Sequence, residues 1–152
     1  ASMAQQGKTA EEIVKEIEGC RDRVRASFVV DTLTYLARGG RCTSATALLA
    51  NTLRLHPQII VRDGAMMVNK KYRGNLASAV LKYAMDQEPE LLEAEPEHIF
   101  ITHSGCSEDI IQSVYDYLKK LDYFKEIHIT RAGGVISSHC GYGTLGVLYY
   151  VK

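Results

Sequence analysis

Three positions in this chain set a basic side chain beside a glycine bend. Arg41 follows Gly39-Gly40, Arg73 precedes Gly74, and His139 stands just ahead of the spaced glycines Gly141 and Gly143. Glycine lets a chain turn sharply, so a side chain at such a bend can point into a cleft. A guanidinium donates through a planar fork that matches a carboxylate or an acyl phosphate. An imidazole can donate to a carboxylate whether it is neutral or protonated. Arg41 also falls between two predicted helices, next to backbone N–H groups that a helix start leaves open. The shared chemistry is anion binding. The plainer readings are two surface arginines in rim salt bridges and a histidine that closes a turn.

Other constellations are weaker. Gly141-Tyr142-Gly143-Thr144-Leu145-Gly146 is formally GxGxxG, but the dinucleotide fingerprint needs a strand before it and a helix after it. Here LGVLYYV reads as a strand and the given sequence stops at Lys152, so the glycines are expected to make a tight turn. His103, Cys106, His139 and Cys140 contain one His-x-x-Cys spacing, but adjacent His139 and Cys140 would struggle to reach one tetrahedral centre. A Cys/His nucleophile from the same residues has no evident orienting partner. The carboxylates of residues 86–97 read as a solvated run. Met66 and Met67, with Ala45, Leu48, Leu49 and Thr52, read as core, or as flexible walls of a pocket for an alkyl chain.

The elements that must hold these residues are legible. Thr9 with Glu12 makes a capping box for a helix expected to run to about Arg25, its apolar stripe formed by Ile13, Val14, Ile17 and Val24. Phe28-Val29-Val30 reads as a buried strand, with Asp31 as N-cap of a short helix that stops at Gly39-Gly40. A second helix is expected from Thr43 or Ser44. Asp63-Gly64 between PQIIVR and AMMVNKKY is a hairpin signal. Helices are predicted over Asn75 to Met85 and Glu108 to Leu121, the latter capped by Ser107. Strands are predicted over His98–Thr102, Glu126–Thr130 and Leu145–Val151. The hairpin forces an antiparallel pair into an alternating pattern, so the fold class is α/β, a mixed β-sheet with packed helices.

With 152 residues, 46% of them hydrophobic, the chain can bury a core of its own. Its formal net charge of zero argues against a broad nucleic-acid surface. No apolar run approaches the ~18–20 residues of a membrane span, and no signal-peptide pattern is present. Cys20, Cys42, Cys106 and Cys140 are scattered and read as reduced thiols, so a soluble cytoplasmic protein is expected.

Three stretches carry a family resemblance. VDTLTYLARGGRCTSA, Val30 to Ala45, resembles the segment that opens the C-terminal half of DegV family proteins. DGAMMVNKKYRGN, Asp63 to Asn75, is similar to the family's hairpin ending in Arg-Gly, and GGVISSHCGYGTLGVLYYVK resembles its closing segment. The resemblance implies a long-chain fatty acid as ligand, held by His139, Arg41, Arg73, Gly141, Gly143, Ser44 and Met66. It also implies a fatty acid kinase subunit as partner, and neither cofactor, metal nor catalysis. It casts residues 1–27 as a connecting helix and 28–152 as the lipid-binding domain. DegV proteins are about twice this length, and the chain starts at Ala1 without Met, so a C-terminal fragment lacking the family's N-terminal half is expected. The residue after the histidine is Cys140 where the family usually has Thr, and Tyr142 replaces a usual Pro. The alternatives are a protein-interaction domain without ligand and a Cys/His-dependent enzyme.

Overall fold

The computed structural model describes residues 2–40 and 55–152. Two helices open the chain, α1 (Ser2–Gln5) and α2 (Ala10–Cys20). The capping box forms as expected: the Thr9 N–H donates to Glu12 Oε2 at 2.8 Å, and the Glu12 N–H to Thr9 Oγ1 at 3.3 Å. The helix ends sooner than its periodicity suggests. A 3₁₀ turn over Arg21–Arg23 leads into β1 (Val24–Val29), where Val24 pairs with Tyr150. A ready strand partner satisfies these backbone groups, and that outweighs helical spacing. Val14 and Ile17 on α2 remain 55% and 51% exposed.

Helix α3 (Thr34–Arg38) follows β1, with Leu33 at its N-cap in place of the expected Asp31. The Thr34 N–H donates to Thr32 Oγ1 instead, which frees the Asp31 carboxylate. Arg41, Ser44 and the second predicted helix lie outside the described residues. The hairpin of β2 (Leu55–Arg62) and β3 (Ala65–Arg73) turns on Asp63-Gly64, both in the left-handed region that suits a twisted two-residue turn. Met66 is half-buried, but Met67, one residue on and therefore on the other face, is 39% exposed and does not join a core.

Next come α4 (Leu76–Asp86), capped by Asn75, the short α5 (Glu88–Leu91) and β4 (His98–Ser104). The last elements are α6 (Glu108–Lys120), β5 (Glu126–Arg131), α7 (Gly134–Cys140) and β6 (Thr144–Tyr150). Ser107 stands at the N-cap of α6 but its side chain makes no capping bond. The sheet order is β3-β2-β1-β6-β4-β5. Only β4 and β5 run parallel, joined through α6; the other neighbours are antiparallel. The mixed sheet with packed helices is therefore as expected.

On one face α4 and α6 close the main core around Val80, Tyr83, Ile99, Ile101, Val114 and Leu118. On the other a smaller cluster, Val30, Leu33, Leu36, Ile59 and Cys140, has half-buried Phe28, Met66 and Val68 against it. Further along that second face Phe100, Thr102, His128 and Thr130 are half-buried or exposed.

One buried hydroxyl ties the helical layer to the centre of the sheet. Tyr83 of α4 donates to the Ser27 carbonyl of β1 at 2.7 Å and accepts the Val147 N–H of β6 at 2.9 Å. Ser27 and Val147 face each other in the β1–β6 ladder, so the hydroxyl bridges two central strands. The Ser27 hydroxyl also donates to Gln87 Oε1 at 2.9 Å, and Gln87 Nε2 returns to the Tyr83 carbonyl.

The acidic stretch expected to be solvated is instead pinned by tyrosines. Tyr72, Tyr117 and Tyr149 donate to Asp86, Glu88 and Glu90 at 3.2, 2.6 and 2.9 Å. Leu91 and Ala94 within that stretch are fully buried. A phenol that serves as donor to a carboxylate from a buried or half-buried site gains little from ionising.

Burial pushes the Tyr83 hydroxyl up to about 12 from 10.0. Tyr72, Tyr117 and Tyr149 are also raised, first by burial and then by their carboxylate partners. A raised folded-state value means the stability it contributes is complete below the unfolded tyrosine range and is lost as pH climbs. The thermal midpoint should therefore hold level up to about pH 9 and fall progressively above about pH 10. Tyr83→Phe should cost roughly 1–3 kcal/mol in urea denaturation at pH 7, because it strips a buried N–H and a buried serine of their partner. The same variant should show a shallower alkaline fall.

Candidate functional site

Three of the predicted residues, His139, Gly141 and Gly143, fall at the link between α7 and β6. Gly141 sits at φ 82°, ψ 171°, a conformation essentially closed to other residues, and its N–H donates to the Ser137 carbonyl at 2.8 Å. The Gly143 N–H donates to the Ser104 carbonyl at the end of β4 at 2.9 Å. The Thr144 hydroxyl donates to the Cys140 carbonyl at 3.0 Å. The glycine-rich stretch is thus a fixed turn that feeds a strand, and no helix follows it as a dinucleotide fold would require.

Close approach explains the glycines on both sides. A Cβ on Gly39 would lie 2.2 Å from His139 Nδ1, so the imidazole rests on the backbone bend that ends α3. A Cβ on Gly141 would lie 2.3 Å from the Tyr35 ring. His139 is half-buried in the last turn of α7, where a cation is favoured by the helix dipole. It makes no hydrogen bond or ion pair among the described residues. Its neighbour Cys140 points the other way, into the cluster with Leu33, Leu36 and Ile59.

The second glycine bend reaches the same turn through two residues that sequence reasoning missed. His56 Nε2 lies 3.1 Å from the carbonyl of Gly74, next to Arg73. His56 Nδ1 lies 3.4 Å from Asp31 Oδ1, within ion-pair reach but off line for a hydrogen bond. Asp31 in turn sits against Gly143: a Cβ there would be 3.3 Å from that of Asp31 and 3.0 Å from Leu76 Cδ2. Arg73 itself is exposed and makes no ion pair among the described residues. The only local signal for His56 was its place just ahead of the predicted strand PQIIVR; its partner Asp31 is 25 residues away in sequence.

The turn therefore has two electrically different ends. Gly143 lies beside the Asp31 carboxylate, whereas Gly141 lies beside Tyr35 and the His139 imidazole. The His139 end offers an anion an imidazole donor, whereas the Gly143 end sets it against a carboxylate. Met66 joins from the second face, packed half-buried on the Cys140 cluster.

Cys106 and Cys140 are poor nucleophiles. Burial, and then the charge of Asp31, push Cys106 up to about 11, and its Sγ donates to the Thr144 carbonyl at 3.3 Å. Burial also raises Cys140. A reactive cysteine needs the opposite shift. Nor do His103, Cys106, His139 and Cys140 come together as a ligand cluster among the described residues.

Because Gly39 has an ordinary backbone (φ −75°), Gly39→Ala should act almost purely by displacing the His139 ring. Gly133→Ala, at the N-cap of the helix that carries His139 and facing open space, should leave the ring in place. The His139 ring resonances in an NMR spectrum should move in the first variant and stay in the second.

Comparison with known proteins gives this turn its setting. The family described as "Uncharacterised protein, DegV family" matches residues 1–152. A DegV domain-containing protein of Clostridium perfringens is 32% identical over 150 residues, 98% of this chain and 51% of the relative. A fatty-acid-binding DegV family protein from Thermus thermophilus is similar at TM-score 0.82 and 26% identity, over 99% of this chain and 54% of that one. A fatty-acid-binding DegV family protein from Streptococcus agalactiae is similar at TM-score 0.79 and 26% identity, over 98% and 52%. The chain spans about half the length of the curated relatives it matches. A family match over every residue, on a sheet and a histidine-glycine turn of this design, means that the chain belongs to the DegV family.

Proposed function

We propose that this chain carries a long-chain fatty acid and presents its carboxylate, and that its part is carriage rather than catalysis. The observation that carries this reading is the His139 imidazole, set on the Gly39 bend with no partner among the described residues. The likeness to two fatty-acid-binding DegV proteins supports the ligand class. The head group would sit at the His139–Gly141 end of the turn, away from Asp31, with Ser44 as a further donor and Gly143 closing the turn, while Arg41 and Arg73 would orient the head group or face the kinase subunit. The tail would run over Phe28, Met66 and Val68 beside the Cys140 cluster. Each buried CH₂ contributes about 0.8 kcal/mol, while the carboxylate needs donors to be buried at all.

Two finer statements belong to the same reading. A fatty acid kinase subunit is the proposed partner, on the strength of the family alone. Helix α2 is proposed as the connector to a further DegV half and the sheet as the lipid-binding domain, which moves the boundary at residue 27 back to Val24. No helix among the described residues is long and apolar enough to cross a membrane. Cys20, Cys106 and Cys140 are free thiols, which supports a cytoplasmic setting.

Organic extraction of the purified protein followed by mass spectrometry should yield long-chain fatty acid. An empty extract, together with no binding of added palmitate or oleate, defeats the proposal. His139→Ala should weaken fatty-acid binding roughly tenfold or more, the worth of one hydrogen bond to a charged group. Undiminished binding would remove His139 from the head-group site.

A further inference from the structure

The β4–β5 pair holds a second group of convergent side chains, unconnected with the turn described above. The parallel register sets His98 opposite Glu126 and Phe100 opposite His128. Glu126 and His128 are two apart on β5, so the pleat turns both to the face that carries His98. His98 Nδ1 lies 3.1 Å from His128 Nε2 and 3.5 Å from Glu126 Oε2, and His128 Nε2 lies 3.3 Å from the same oxygen. The three atoms form a nearly equilateral triangle.

We propose that His98, Glu126 and His128 form a binding site for a zinc-type divalent metal ion. Zinc–nitrogen and zinc–oxygen bonds of about 2.0–2.1 Å in a tetrahedron place neighbouring ligand atoms about 3.3 Å apart. The observed sides, 3.1, 3.3 and 3.5 Å, are those of one tetrahedral face. A hydrogen bond needs only two atoms in line. Here two imidazole nitrogens and a carboxylate oxygen lie within 3.5 Å of one another, a set of three donor atoms that one cation can share.

The surroundings fit an open site. Phe100 stacks on the His128 ring at 4.8 Å and 21°, which holds that ligand's orientation. The three side chains are 44%, 60% and 36% exposed, so an ion can enter from solvent and a water can complete the fourth position. Two nitrogens and one oxygen select zinc, copper or nickel over magnesium or calcium, which want six or more oxygens. His98 opens β4 and Ser104, which accepts the Gly143 N–H, closes it. At about 3.3 Å per residue the two sites are separated by about 20 Å, so neither requires the other.

The test is calorimetric titration of zinc chloride into the purified 152-residue chain, with magnesium chloride as control. One zinc should bind per chain, and His98→Ala and His128→Ala should each weaken that binding at least tenfold, the usual penalty for losing support at a metal centre. Zinc should also raise the thermal midpoint of the unaltered chain and not that of either variant. All three positions are exposed enough that the variants should keep the circular dichroism of the parent. No zinc binding, or binding undiminished in both histidine variants because it resides on the cysteines, overturns the site.

Discussion

The architecture turns on a single phenol. Tyr83 is fully buried, and its hydroxyl stands between β1 and β6, the strands that join the β2–β3 hairpin to the β4–β5 pair. A hydroxyl both donates and accepts, so one side chain answers a carbonyl on one strand and an N–H on the next. Ser27 and Gln87 complete the circuit, which leaves a polar knot in an apolar core with its partners supplied. Because an unanswered polar group at that depth is costly, the knot fixes where α4 lies along the sheet. Everything that α4 delivers, including Leu76 against Gly143 at its start, inherits that placement.

The turn at residues 139–143 shows how close packing makes room for chemistry. Glycine backbones at 39 and 141 accept the His139 and Tyr35 rings at distances that any Cβ would forbid. The elements α3 and α7 can then lie against each other with a half-buried imidazole between them. Asp31 gives the other end of the turn a negative charge, raises the neighbouring Cys106 thiol and engages His56. One short loop thus sets the Asp31 carboxylate at one end and the His139 imidazole at the other, the asymmetry on which the proposed carboxylate-first carriage of a fatty acid rests.

Tyrosines stitch the far side of the molecule. Three phenols reach the carboxylates of residues 86–90 from β3, α6 and β6, three separate elements. Read as a string, DQEPELLEAEP is charged and broken by prolines, so it passes for a solvated loop. Its partners are invisible there because each is 14 to 59 residues distant. The frequent tyrosines of the composition acquire their purpose only when the strands are assembled.

Local signals were strong where chemistry within a few residues sufficed. The Thr9–Glu12 box, the Asp63-Gly64 hairpin and the periodicity of Glu108–Lys120 all appear where spacing and turn chemistry placed them. Three family-like segments in order identified the DegV family before any coordinates. The assembled sheet decided the rest. Val24 left its helix because β6 offered an extended partner, and Asp31, just past the end of β1, lies against His56 of β2 while Thr32 takes the Thr34 N–H. His98, Glu126 and His128 met only through the parallel pairing of β4 with β5. A single chain encodes local geometry in neighbours, but a contact between distant residues exists only once hydrogen-bonded register and packing have chosen which faces meet.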